Sequence, residues 1–477
     1  MATVTEAAPT PVGQQRGPTH PQRAGASRRV DVIVGLALFI VASVVFLRAT
    51  ETVPFHGDES EWIHNGRYFR FMFIDRDYSS SVWRVSWVNR DQPPVGRYII
   101  GAIIWASGTD PSKVNRSYAW ERDLEANRQE GRIPGPELLM PVRRTMAVFG
   151  AFAIVLLFVA GRMIGGIVTG AVAGLIATAS PLLQLYFAQA RTESLLALFT
   201  VTGFVLVLTF ARRFQQSGRL PLIGWSIGPV MGIALATKLT AAVGILGICA
   251  YAGVAGLARL RAHRAEAFRM IGWSIATGLL ASVVWVAVYP YLWPNPVSRT
   301  LSMFELQREM MEDQGTNFGH PVVDDLAVRL NLMVVRTFVE ISTPPFDAGL
   351  PPGSASVTSR TFTELPTLFG ISVELALALL GLAVLIARAA RGWRAGERHG
   401  PETALLWWLA AYMLGIGVNL NLDWPRYYVP TAFFGSLLIG LGTQTILVAA
   451  LRLRPARSTT PATVAGPQPT AASSSGG

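Results

Sequence analysis

Ten apolar stretches, each near the length of a membrane-crossing helix, constrain this chain more than any other feature of its sequence. They run over approximately 31–49, 141–161, 165–185, 192–211, 221–237, 239–258, 270–290, 367–387, 403–420 and 427–450. A helix crosses about 30 Å of hydrocarbon with about 20 mostly apolar residues, and inside the bilayer its backbone polar groups must pair with one another. The expected fold class is an all-α polytopic membrane protein of about ten transmembrane helices, with interfacial helices in a long first external loop.

An eleventh stretch, 94–107, is only 14 residues long. Cytoplasmic connections carry an excess of Lys and Arg, so charge decides whether this segment crosses. If it does not cross and the N-terminus is inside, 19 of the 41 cations fall in the cytoplasmic pieces, among them Arg28, Arg29, Arg162, Arg212, Arg213, Arg259 and Arg388. Acidic residues gather instead in two long external loops, about 50–140 and 291–366. A crossing at 94–107 would move every later arginine cluster outside. The segment is therefore expected to lie on the outer surface, with both termini cytoplasmic. Residues 1–28 and 455–477, rich in Pro, Ala, Thr, Ser and Gly, are expected to be disordered cytoplasmic tails flanking a membrane domain over 29–454. The apolar segment from Val32 lacks a following small-residue cleavage pattern and is expected to be the first span rather than a signal peptide. The later half of the second loop, with Pro344-Pro345 and Pro351-Pro352-Gly353, is expected to be irregular.

A net charge of +11 would fit nucleic acid only if the basic residues clustered among aromatics; they fall between apolar stretches, so no nucleic-acid partner is expected. Cys249 is the single cysteine, which excludes an intrachain disulfide and a C-x-x-C metal or redox motif. There is no P-loop, H-E-x-x-H or G-x-S-x-G.

Three groups of residues carry chemistry. The first is His56-Gly57-Asp58-Glu59-Ser60-Glu61, directly after the first span. A carboxylate there can take a proton from a hydroxyl or share a divalent cation, with Asp58 and Glu193 the positions for such a metal. The plainer alternative is a helix start, with Asp58 as cap and Glu59 and Glu61 answering the helix dipole. The second is Asp91-Gln92-Pro93-Pro94-Val95-Gly96-Arg97, where the prolines set a rigid start and Arg97 can meet a phosphate at headgroup depth; the alternative is proline-initiated helix with a snorkelling arginine. The third comprises charges at the external ends of spans: Arg143 and Arg144, Arg191 and Glu193, Lys238, Glu374, and Asp423 with Arg426. Charges at this depth are costly and usually face a cavity or a partner, although Arg143, Arg144 and Arg426 can instead snorkel and Glu193 can simply pair with Arg191.

The order of these groups resembles the polyprenyl-phosphate-sugar-dependent glycosyltransferases of the C-type superfamily (family 39 and its relatives), which include protein O-mannosyltransferases and lipid A aminoarabinose transferases. Asp58-Glu59 match that family's Asp-Glu of the first external loop. Pro93-Pro94-Val95-Gly96-Arg97 are similar to its H-P-P-x-G-K segment, with Gln92 in place of His and Arg97 in place of Lys. Ala190-Arg191-Thr192-Glu193 match its second-loop motif, Thr237-Lys238 its Thr/Ser-Lys, and Asp423-Trp424-Pro425-Arg426-Tyr427-Tyr428-Val429-Pro430 its late R-Y-x-x-P segment. The likeness covers roughly 30–450; a long stretch at 108–140 departs from it.

The resemblance implies an integral membrane enzyme, expected in a bacterial plasma membrane, that moves a hexose or pentose from a polyprenyl-phosphate donor to an acceptor protein, lipid or glycan at the external face. Asp58 would be the base, with Glu59 and Glu193 orienting the acceptor or binding a metal. Arg97, Lys238 and Arg426 would bind the donor phosphate, and His56, Asp91, Gln92, Arg191 and Tyr427 are further candidates. The resemblance fixes no cofactor and is compatible with a divalent cation. Nucleotide sugars stay in the cytosol, so an outward-facing transferase needs a donor carried across on a lipid, and cations at the outer boundary are where its phosphate would lie. The alternative is a transporter or flippase for a lipid or anionic solute, with the same charges lining a route.

Overall fold

Apolar runs of this chain become helices, some started by a side-chain cap, as at Ser180 and Ser372, and some ended by glycine, as at Gly165 and Gly218. The computed structural model describes residues 21–317, 322–343, 357–360, 367–368, 371–396, 400–419 and 422–453. Helix α1 (Pro21–Thr52) leads to a first long connection holding α2 (Gly57–Asn65), α3 (Ser86–Asp91), α4 (Pro94–Ala106) and α5 (Leu124–Gln129). The bundle continues with α6 (Pro136–Ile164), α7 (Ile167–Ala179), α8 (Pro181–Ala188), α9 (Glu193–Ser217), α10 (Ile227–Thr237), α11 (Ala241–Leu257) and α12 (Arg264–Ala287). A second long connection carries α13 (Pro296–Asn317), α14 (Leu326–Phe338) and the strands β1 (Glu340–Thr343) and β2 (Val357–Arg360); α15 (Val373–Arg394), α16 (Pro401–Asn419) and α17 (Val429–Arg452) complete the chain.

Among the described residues six helices are long and apolar enough to cross a membrane: α1 from Arg28, α6, α9, α12, α15, and α17 with the turn that precedes it. The pair α7 and α8, bent by 67°, makes a seventh if it is one span. The chain is a helical integral membrane protein. The apolar stretch 165–185 is not one straight helix because Pro181 has no N–H to continue α7, and Ser180 Oγ accepts from Leu183 N–H to start α8 afresh. The stretches at 221–237 and 239–258 become shorter apolar helices broken at Lys238.

Small residues let these helices approach closely, as membrane packing favours. A Cβ on Gly442 would collide with the Leu377 carbonyl, and one on Gly161 would come 2.7 Å from the Gly170 Cα. The aromatic core between α9 and α12 stacks Phe210 on Trp273 at 4.0 Å.

Connections alternate between two ends of the bundle. At one end Arg162 pairs with Asp31 at 2.7 Å, Arg388 Nη1 donates to the Ile164 carbonyl at 3.0 Å, and Arg259 reaches the Gly396 carbonyl at 3.3 Å. The two long connections and the breaks at 189–192 and 238–240 lie at the other. Helix α4 both enters and leaves there: Tyr98 Oη donates to the Val288 carbonyl just past α12, and beyond α4 Asp110 pairs with Arg70 at 2.8 Å.

Some expectations need correction. Helix α1 starts at Pro21, so residues 21–28 of the expected N-terminal tail are helical; the rest of that tail, the C-terminal tail 455–477, and both proline pairs lie outside the described residues. The second loop holds α14, capped by Asp325, whose Oδ1 accepts from Ala327 and Val328 N–H, and an antiparallel pairing of Glu340–Thr343 with Val357–Arg360. These strands qualify the all-α expectation. The stretch at 367–387 begins with Thr367–Leu368 and Ile371–Ser372 paired as strands, and its helix starts only at Val373.

Candidate active site

Adjacent carboxylates at the start of α2 have different surroundings. His56, not Asp58, is the N-cap: its Nδ1 accepts from Asp58 N–H at 3.0 Å, and Glu59 Oε2 accepts from His56 N–H at 3.1 Å. This reciprocal box starts the helix with Glu59 turned inward and Asp58 turned out, its side chain 22% exposed. Asp58 Oδ2 receives two guanidinium groups, Arg191 Nη2 at 2.8 Å and Arg426 Nη1 at 3.1 Å.

The network continues behind Arg191. Its Nε lies 3.7 Å from Glu193 Oε2, and Lys238 Nζ donates to Glu193 Oε1 at 2.8 Å. Lys238 is free of helix geometry, at φ −158° between α10 and α11, so its side chain can reach across to the first residue of α9. Arg426 lies 3.6 Å over the Trp424 ring and 5.7 Å from that of Tyr427; the two rings stack beside it. Asp58, Arg191, Glu193, Lys238, Arg426 and Tyr427, from four separate segments, thus meet at one end of the bundle. Three of them are cations, and Asp58, Lys238 and Arg426 keep partial access to the exterior.

Other candidate residues are placed differently. Glu59 is fully buried, and its carboxylate takes Arg143 Nε at 2.8 Å, Arg143 Nη2 at 2.6 Å, Ala190 N–H at 2.7 Å and His56 N–H. No lone pair remains to orient an acceptor, and Arg143, rather than snorkelling, also ties down the Thr50, Val53 and Pro54 carbonyls. Arg97 is fully buried under the Tyr68 ring, with its centroid 4.3 Å away. Its guanidinium donates to Asn89 Oδ1 at 3.0 Å, to the Gln92 carbonyl and to Tyr289 Oη at 3.3 Å. It is a strut tying α3 and α4 to the residues just past α12, and it has no exposed surface. Gln92 belongs to the same strut, its Oε1 accepting from Asn65 Nδ2 at 3.0 Å. Glu193, 3% exposed, sits behind Arg191 and Lys238 and faces both.

Asp58 and Glu193 do not fit a shared metal site, since Arg191 stands between them and their oxygens already face cations. Among the described residues no group of three or more His, Cys, Asp or Glu side chains is placed to hold a metal ion. Asp91 accepts from Gln307 Nε2 at 3.0 Å, and burial, together with the Asp58 charge nearby, pushes its carboxyl above the usual carboxylate range. Asp423 does not pair with Arg426: Arg336 of α14 takes it at 2.7 Å and Tyr428 Oη donates to it at 2.7 Å.

Sequence reasoning missed Arg336, Gln307, Asn89 and Tyr289 as parts of this end of the molecule. The signal available for Tyr289 was its place in the Tyr289-Pro290-Tyr291 corner; the others carry no local pattern.

The chain is similar to solved oligosaccharyltransferase and ArnT structures. With the oligosaccharyltransferase of Archaeoglobus fulgidus in its apo form the TM-score is 0.48 at 14% identity, covering 88% of this chain and 52% of that one. The archaeal oligosaccharyltransferase AglB from the same organism, in complex with an inhibitory peptide and a dolichol-phosphate, gives 0.47 at 14%, covering 88% and 51%. ArnT from Cupriavidus metallidurans, bound to undecaprenyl phosphate, gives 0.46 at 15%, covering 87% and 63%. The chain spans between half and two thirds of the length of these structures. No family model matches the chain, and no curated protein matches it. Likeness this distant transfers no residue roles, which rest on the site itself.

Proposed function

We propose that this protein is a membrane-embedded glycosyltransferase that moves a hexose or pentose from a polyprenyl monophosphate to an acceptor hydroxyl or amine at the external membrane face. The observation that carries this reading is the Asp58 carboxylate, partly exposed at a helix start and faced by Arg191 and Arg426, with Lys238 one carboxylate further on. A base beside a cluster of cations at the end of apolar helices suits one chemistry well: deprotonating a nucleophile while a lipid-anchored phosphate leaves.

In this reading the acceptor oxygen or nitrogen attacks the anomeric carbon as Asp58 takes its proton. The bond from that carbon to the phosphate oxygen breaks, and the phosphate departs with the electron pair. Arg426 and Lys238 receive the developing negative charge, and Arg191, buried and held by Glu193, keeps Asp58 aimed. A single displacement inverts the anomeric centre. No step uses Arg97, Glu59 or a metal. We further read the bundle as ten crossings, counting α7 with α8 as one and including α10, α11 and α16, with both termini and the arginine-rich end cytoplasmic.

Transport finds less support. The break at Ser180-Pro181 carries no charged residue, and the charges gather at one end rather than along a route. The test is incubation of the purified protein in membranes with radiolabelled polyprenyl-phosphate hexoses and pentoses and envelope acceptors. Label should move with the wild type and fail to move with Asp58→Asn. Undiminished transfer by Asp58→Asn would remove the base, and absence of transfer from every lipid donor would remove the reading.

A further inference from the structure

Residues 108–132, which depart from the resemblance, fold back onto the helix that presents Asp58. Glu61, three residues after Asp58, accepts from Ser117 Oγ and from Tyr118 N–H, both at 2.6 Å. His64 Nδ1, one turn further along α2, meets the Asn115 carbonyl at 2.7 Å, and Asn115 Nδ2 donates to Ser60 Oγ at 2.8 Å. Ser60 also donates to the Arg132 carbonyl. Glu61 and His64 on the partly exposed side of α2, with buried Ser60 beside them, thus hold this segment.

The segment is itself braced. Asn127 is fully buried, its Oδ1 accepting from Ala119 N–H at 2.9 Å and its Nδ2 donating to the Ala119 carbonyl at 3.0 Å, which fixes the backbone beside Trp120. Arg132 Nη1 donates to the Ser117 carbonyl at 2.6 Å on the other side. What the bracing positions is aromatic: Tyr118 and Trp120 meet edge to face at 5.0 Å, and Trp120 lies 6.2 Å from the ring of His56, the cap of Asp58's helix. A Cβ at Gly57 would come 2.9 Å from Trp120 and 3.0 Å from Tyr118, so the residue next to Asp58 leaves the space these rings fill. Tyr118 is buried, whereas Trp120 remains 41% exposed.

An exposed tryptophan on a membrane protein often anchors at the lipid interface. This segment differs, because nine of the residues from Lys113 to Arg132 are charged, which keeps it in water. A tryptophan held by a braced polar loop beside a carboxylate offers a flat apolar surface at low entropic cost, suited to the C–H face of a ring whose edge is polar.

We propose that Trp120, backed by Tyr118, is a carbohydrate-stacking subsite that holds a sugar ring against Asp58. It rests on the proposed glycosyl transfer and deepens it. The ring belongs either to the donor or to an acceptor glycan, and both present the same chemistry to the tryptophan.

The test measures binding of three probes to the full chain in lipid nanodiscs: bare polyprenyl phosphate, hexose-loaded polyprenyl phosphate, and methyl hexosides. Trp120→Ala should weaken one of the two sugar-bearing probes by about tenfold, while bare polyprenyl phosphate binds as to wild type, which also reports an intact fold. Trp120→Phe, which keeps a ring, should recover most of the loss. Weakening of the loaded carrier assigns the ring to the donor; weakening of the methyl hexosides alone assigns it to the acceptor. If all three probes bind Trp120→Ala as they bind wild type, or all three weaken equally, the subsite is overturned. A wild-type protein that binds neither carrier would instead sink the donor class and the subsite with it.

Discussion

Arg143 grips Glu59 through two parallel hydrogen bonds, Nε to Oε1 at 2.8 Å and Nη2 to Oε2 at 2.6 Å, in a place closed to solvent. Removing one partner of such a pair leaves a buried charge without compensation, at a cost of about 3–5 kcal/mol. Glu59→Ala and Arg143→Ala should therefore each fold poorly, read as lost monodisperse protein and a lowered Tm in detergent. Glu59→Leu combined with Arg143→Met should regain only the part owed to the stranded charge, because the Thr50, Val53 and Pro54 carbonyls and the His56 and Ala190 N–H groups then each lose a partner.

Asp58→Asn should behave in the opposite way. The amide keeps the shape of the side chain on a partly exposed site, so Tm should stay close to wild type. Transfer from a polyprenyl-phosphate sugar should fall by about 10²- to 10⁴-fold, the usual worth of a positioned general base. A mutant that loses fold and activity together would show that Asp58, like Glu59, is structural.

Arg97 and Arg426 separate in the same manner. Arg97→Lys replaces a planar donor group held by Asn89, Gln92 and Tyr289 with a point charge in a closed space, so Tm should fall while affinity for bare polyprenyl phosphate in the folded fraction holds. Arg426→Ala should leave Tm nearly unchanged and weaken that affinity by about tenfold or more. Binding measured on both variants in nanodiscs decides between them.

Asp91 supplies a pH dependence. Its carboxyl is pushed above the usual carboxylate range by burial and by Asp58, so the folded state binds its proton more tightly than the unfolded chain does. The stability it contributes is fully present below the unfolded carboxylate value and is lost as pH rises through the raised one. Asp91→Asn should accordingly raise Tm at neutral pH, and the gain should vanish in acid. A difference that does not change with pH would refute this account.

Gly101 tests how α4 is held. A Cβ there would collide with the Gly66 carbonyl oxygen and with the Phe69 side chain, and the backbone of Gly66 has little room to yield. Gly101→Ala should destabilise the protein by about 1–3 kcal/mol, as overpacking does, seen as a drop in Tm.

The membrane character, the two kinds of bundle end and the meeting of Asp58 with Arg191, Glu193, Lys238 and Arg426 could be read in outline from residue order and from charge at span ends. The inward set could not. Nothing local tells Arg97 from Arg426, since each follows proline near a helix start; what separates them is Tyr289, 192 residues away from Arg97, and the ring of Tyr68 above it. Asp58 and Glu59 are likewise adjacent and chemically alike, and only the His56 cap decides which points inward. The 165–185 stretch reads by composition as one apolar run that the structure breaks at Pro181, and α14 and its strands lie in a loop whose prolines dominate the pattern.

The ion pair between Asp58 and Arg426 joins positions 368 residues apart. Membrane helices are delivered to the bilayer in order of synthesis, and domains form N-terminal first. During insertion Asp58 therefore meets Arg191 before helix α17 has docked against α15 and α7 and brought Arg426 beside it. The contact between Asp58 and Arg426 thus closes only once α17 is in place, and a chain inserted as far as α16 lacks it.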